Sequence, residues 1–141
     1  MKAMGRSTLA VLIGVIVAMG LTAVIEMASN HLYPLPPGID IHDHASMREY
    51  VHAMPIGAFV MVLLAWAVGA GTGAWVAARL AGRARLVHGL IVGALFLAAG
   101  IMNLLMIPHP IWMWIGGVAV LAGCGYLGAR AAAATPAQVA S

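Results

Sequence analysis

Four apolar stretches, each long enough to cross a bilayer, leave nearly every charge of this chain in the gaps between them. They cover residues 7–28, 55–78, 86–107 and 111–130. A helix needs about 20 such residues to cross the hydrocarbon core. Hydrocarbon offers the backbone no hydrogen-bond partners, so each stretch must satisfy its own amides as a helix. The expected fold is all-α: a four-helix transmembrane bundle forming one integral membrane domain over residues 1–141. With 63% hydrophobic and 8% charged residues, the chain lies far from the soluble norm of about 25% charged.

Lys2 and Arg6 ahead of the first stretch resemble the start of a secretory signal. The apolar run is longer than the roughly 7–15 residues of a signal core, and Glu26 falls near any cleavage point, so a retained span is expected. The tail, residues 131–141 with Thr135-Pro136, is expected to fray.

The gaps differ in sign. Lys2, Arg6, Arg79, Arg83, Arg85 and Arg130 flank one set of ends, whereas Glu26, Asp40, Asp43 and Glu49 belong to the other, with Arg48 the single basic residue there. The positive-inside rule then makes both termini cytoplasmic, and the 30–54 connection and the Pro108-His109-Pro110 turn external. The formal net charge of +3 is thereby an orientation signal. It forms no basic stripe interleaved with aromatics, which argues against nucleic acid as a partner. Arginine far outnumbers lysine, and alanine and glycine are plentiful, which points to a bacterial chain and an inner-membrane location.

Within the external connection, Tyr33-Pro34-Leu35-Pro36-Pro37-Gly38 cannot propagate a helix and predicts an extended strap. Ser46-Met47-Arg48-Glu49 matches a capping box and predicts a short interfacial helix beginning at Ser46. Pro55 is expected at the first helical position of the second span. Small residues recur at four-residue spacing as Ala10, Gly14 and Ala18, then Gly69, Gly73 and Ala77, then Gly89 and Gly93, then Ala119 and Gly123. Such stripes let helix backbones approach closely in lipid. Gly69 to Gly73 is read as packing, because a phosphate-cradling loop would need a preceding strand.

Glu26 is the most telling side chain, since a carboxylate near a span's C-terminus is disfavoured by the helix dipole and by hydrocarbon alike. Thr22, Glu26 and Asn30 share a helix face, and Asn103 is expected at the same depth, facing Glu26. A polar pocket of Glu26, Asn30, Asn103 and His109 follows. The plain alternative is an interhelical hydrogen bond between Glu26 and Asn103.

Asp40, His42 and His44 would project together from an extended segment, with Ile41 and Asp43 opposite. These are donors suited to a divalent transition metal such as zinc, and His31, His109 or Glu26 would complete four-coordination. The alternative is a solvated loop whose aspartates cap turns. The many methionines allow Cu(I) binding but more simply fill apolar gaps. A bis-histidine haem site would need His52 and His109 at matched depth. No nucleophile, base and orienting acid share one layer, so no enzyme is expected, and Cys124 lies within a span away from every histidine.

Two functions remain open. In one, the outward-facing pocket binds a cation or a lipid headgroup, in the service of ion or metal transport by a homo-oligomer. In the other, the chain is a structural or accessory subunit of a larger membrane protein, with the pocket closed by internal hydrogen bonds.

Overall fold

The computed structural model describes residues 2–40 and 42–135, which form five α-helices and, among those residues, no strand. They are α1 (Lys2–Leu32), α2 (His44–Ala53), α3 (Ile56–Leu80), α4 (Arg85–Met106) and α5 (Ile111–Ala134). All except α2 are long and apolar enough to cross a bilayer. Large apolar side chains such as Leu12, Ile16, Val24, Ile56, Leu105 and Ile115 point outward from them. That is the surface expected where the surroundings are lipid.

Three of the long helices fit the expected ranges closely, whereas α1 is a longer helix than residues 7–28. Hydropathy marks the part suited to hydrocarbon, and a helix continues beyond it wherever nothing breaks it. In α1 the break comes at Tyr33-Pro34, since Pro34 bars helical geometry from its predecessor. At the far end, α5 continues through residue 134, so residues 131–134 are helical rather than frayed. The Thr135 hydroxyl donates to the Ala131 carbonyl (3.0 Å). The remainder of the expected frayed tail, 136–141, and Ile41 lie outside the described residues.

Around the bundle the helices follow in the order α1, α3, α5, α4, with α3 also touching α4. The α1–α4 seam that closes the circle is the slightest of the interfaces. Small residues set the tight ones. A Cβ on Gly14 would stand 2.8 Å from both the Ala77 Cβ and the Gly73 carbonyl oxygen, so α1 and α3 touch backbone to backbone. Gly93 of α4 faces Gly125 of α5 in the same way. The Ala119 and Gly123 stripe expected on α5 does not pack: Ala119 is exposed and no atom lies within 4 Å of where a Gly123 Cβ would be. The buried face is instead Met113, Gly117, Leu121, Gly125 and Ala129. Small residues on α5 fall on two faces, and only the one carrying Gly125 meets Gly93.

One end of the bundle is basic. There Arg6 Nε donates to the Leu80 carbonyl (3.0 Å), while Arg85 donates to the carbonyls of Ala78 (3.3 Å) and Thr135 (2.6 Å). These guanidinium groups serve the open carbonyls at the C-termini of α3 and α5, where the helix dipole favours positive charge. Gly82 and Ala84 make the tight turn with φ of 43° and 46°.

The other end is polar and carries α2. Its start is corrected by the structure: the helix begins at His44, and Asp43 rather than Ser46 is the cap. The Asp43 carboxylate accepts from both the Ser46 amide and the Ser46 hydroxyl, each at 2.8 Å. Asp and Ser cap about equally well, and here the Asp43 carboxylate takes the role and commits the Ser46 hydroxyl to itself. Those hydrogen bonds hold the Asp43 carboxyl below its ordinary range. Pro55 and Pro110 are likewise caps in extended geometry, one residue outside α3 and α5. Val51 anchors α2 by joining the core cluster of Phe59, Trp66, Leu104, Met113 and Leu121. Among the described residues between α1 and α2 there is no helix or strand, and the Tyr33 hydroxyl rests over Gly57 at the start of α3.

Candidate functional site

At the polar end, the last turns of α1 and α4, the first turn of α3 and the inner face of α2 surround a cavity of about 220 Å³. Glu26, Asn30, Asn103 and His109 all line it, so the structure brings the four expected pocket residues to one space. Tyr50 and Val51 of α2, with Met54 just beyond its end, form its lid.

A second, largely apolar cavity of about 460 Å³ lies deeper, along the α1–α4 seam. Trp66 and Leu121 form its floor, while Met19 and Leu95 stand at its exposed rims. Glu26 and Asn103 line both cavities, and so stand at the boundary between them. The expected hydrogen bond between these two is not formed: among the described residues, neither the Glu26 carboxylate nor the Asn103 side chain has a hydrogen-bonding or ionic partner. Thr22, one turn below Glu26, is different. Its hydroxyl donates to the Ala65 carbonyl of α3 (3.2 Å), in a gap that Gly69 leaves by having no side chain.

His109 is half-buried in the turn between α4 and α5. Its Nδ1 lies 2.9 Å from the Ile107 carbonyl oxygen. A carbonyl can only accept, so Nδ1 carries the proton and Nε2 is left as an acceptor. Burial pushes the His109 pKa below its ordinary value, against a smaller opposing pull from the Ile107 carbonyl. The ring is therefore neutral at pH 7. The Phe59 ring meets the His109 ring edge-on at 6.4 Å, and the same Phe59 ring meets that of Trp112 edge-on at 5.4 Å. His109 also lines a third cavity, with Arg48, His52 and Trp112.

The residues proposed for a metal are placed apart from this. His31 is exposed in the last turn of α1. The Asp40 Oδ1 accepts the His42 amide (2.9 Å), a local turn contact, and His44 opens α2. Among the described residues, no three His, Cys, Asp or Glu side chains are grouped so as to hold a metal ion. The aspartates act in turn and cap formation, the alternative that the sequence also allowed.

Trp66, Phe96 and Tyr50 line these cavities and were not foreseen as site residues. Trp66 carries a signal in hindsight. Tryptophans of membrane spans favour the interface, so one in mid-span is a candidate for the bundle interior, and Trp66 is only 4% exposed.

Comparison of the chain with protein-family models, with characterised proteins and with solved structures returns no match.

Proposed function

We propose that the outer cavity binds a primary ammonium group, with the Glu26 carboxylate as its counter-charge and Asn103 Oδ1 and His109 Nε2 as further acceptors. The unpartnered state of Glu26 carries this reading. An uncompensated carboxylate within a span costs up to about 2.5–3.5 kcal/mol, and no lysine or arginine lines either cavity that it borders. His109, being neutral, supplies no compensating charge. A ligand that brings both positive charge and N–H donors answers the site. An accessory subunit without a ligand would instead close the pocket with internal hydrogen bonds, and Glu26 has none.

The reading includes a location: a bacterial inner membrane, with the basic end and both termini on the cytoplasmic side and α2 in the outer interface. The exposed Arg48, Glu49 and His52 of α2 opposite its buried Val51 support that placement. Reporter fusions at residue 38 and at the C-terminus should report opposite sides.

Binding is tested by titrating isotope-labelled protein in nanodiscs with butylammonium. Saturable shifts of the Asn103 side-chain amide and the His109 ring are expected. Glu26→Gln should weaken them by about tenfold or more, the worth of one charge-assisted hydrogen bond. Unmoved resonances, or a Glu26→Gln protein that binds as the parent does, would refute the proposal.

A further inference from the structure

We infer that the α1–α4 seam is a lateral slot for the hydrocarbon tail of the ligand whose ammonium group sits at Glu26, so that the ligand is a single-chain cationic amphiphile entering from the bilayer. The inference rests on the ammonium reading above and extends it. Three observations carry it. The deep cavity reaches from Glu26 down α1 to Val15, a length of roughly 16 Å at about 1.5 Å per residue. Its oxygen acceptors are gathered at one end: the Thr22 hydroxyl is committed to Ala65, which leaves Glu26 and Asn103 as the side chains lining it with free oxygen acceptors. Its long side is open, with Met19 61% and Leu95 52% exposed at the rims.

The slot has a definite lower end. Gly14 brings α1 onto α3 and α4 together, a Cβ there standing 3.1 Å from Val92 Cγ2. Above that point the cavity lies between residues of α1 and α4, with Trp66 and Leu121 also lining it. A groove on a lipid-facing surface is always covered by some acyl chain. What selects an occupant here is the free carboxylate at its head, which borders the outer cavity of about 220 Å³ and favours a cationic group. A tail already in the bilayer gains little by moving from lipid to slot. Affinity therefore comes from the head, and the slot decides where the tail lies and which molecules fit.

The test uses dodecylammonium carrying a diazirine at its far end, photolysed with the full-length protein in nanodiscs, with adducts mapped by mass spectrometry. Adducts should concentrate at the deep end, around Val15, Met19 and Leu95. Excess dodecylammonium should abolish them and dodecanol should not. Ala99→Trp, which fills the slot from α4 one turn below Asn103, should remove them while leaving the butylammonium titration unchanged. Adducts spread equally over the outward faces around Ile16, Leu64 and Ile115, or labelling that dodecanol competes as well as the amine does, would overturn the inference. If butylammonium binds while either result is obtained, the tail assignment alone falls; if butylammonium also fails, the ammonium reading falls with it.

Discussion

Gly14→Ala and Gly20→Ala make the same chemical change on the same helix, and the structure gives them opposite outcomes. The added Cβ at residue 14 would lie 2.8 Å from the Ala77 Cβ and from the Gly73 oxygen. Carbon atoms rest at about 3.5–4.0 Å, so α1 must retreat from α3 by about 1 Å. Both neighbours are backbone or Cβ atoms and cannot rotate away, and overpacking of this kind costs about 1–3 kcal/mol. At residue 20 nothing lies within 4 Å. There the substitution keeps only the helix-propensity gain of alanine, up to about 1 kcal/mol. The propensity gain is common to both variants and cancels, so they should differ by the overpacking cost of about 1–3 kcal/mol, with Gly14→Ala the less stable. Reversible unfolding in mixed micelles by sodium dodecyl sulfate, followed by circular dichroism, measures this directly. Equal stability of the two would mean that the α1–α3 approach is looser than described, and the lower end of the slot would lose its definition.

Ala84 takes a left-handed conformation, φ 46°, that suits glycine. Ala84→Gly should stabilise the α3–α4 turn by about 1 kcal/mol in the same unfolding assay. Asp43→Ala should speed hydrogen exchange at the Ser46 amide, because that amide loses its acceptor. The Asp43 cap is pH-linked, since its carboxyl is held below the ordinary 3.8: its contribution is complete above 3.8 and is lost as the pH falls through the lower folded-state value. His109 has a folded pKa below its ordinary 6.5. The unfolded chain then takes up the proton first, so stability is full above 6.5 and declines as the pH drops below it, until the folded ring also protonates. His109→Gln should flatten that decline in a pH series of unfolding midpoints.

The spans were legible because lipid leaves one solution for an apolar stretch of that length. Within them, which face packs was legible only where one stripe of small residues stood alone, as on α1 with Gly14. On α5, Gly123 and Gly125 offered rival faces, and only the position of Gly93 on another helix decides between them. The start of α2 was misjudged for a related reason. Asp43 and Ser46 both have capping side chains, and the choice depends on Ser46 being held by Asp43. For the site, charge depth placed Glu26 and Asn103 in one layer, as their shared cavities show. Histidine density was a poor guide to a shared cluster. His31, His42 and His44 lie close in sequence, yet a helix terminus, a turn and a second helix take them up separately.

The arginine contacts at the basic end have a mechanical consequence. Arg6 fastens α1 to the end of α3, and Arg85 ties α3 to the segment after α5, whereas no comparable clasp joins α1 to α4 beside Glu26 among the described residues. The bundle is fastened like a clothes-peg, gripped at one end and free to part at the other. Arg6 and Glu26 are about 30 Å apart along α1 at about 1.5 Å per residue, so parting the jaws by about 3 Å needs a tilt of only about 6°. A tilt that small pivots at the end where the arginine contacts lie and requires no helical turn to unfold.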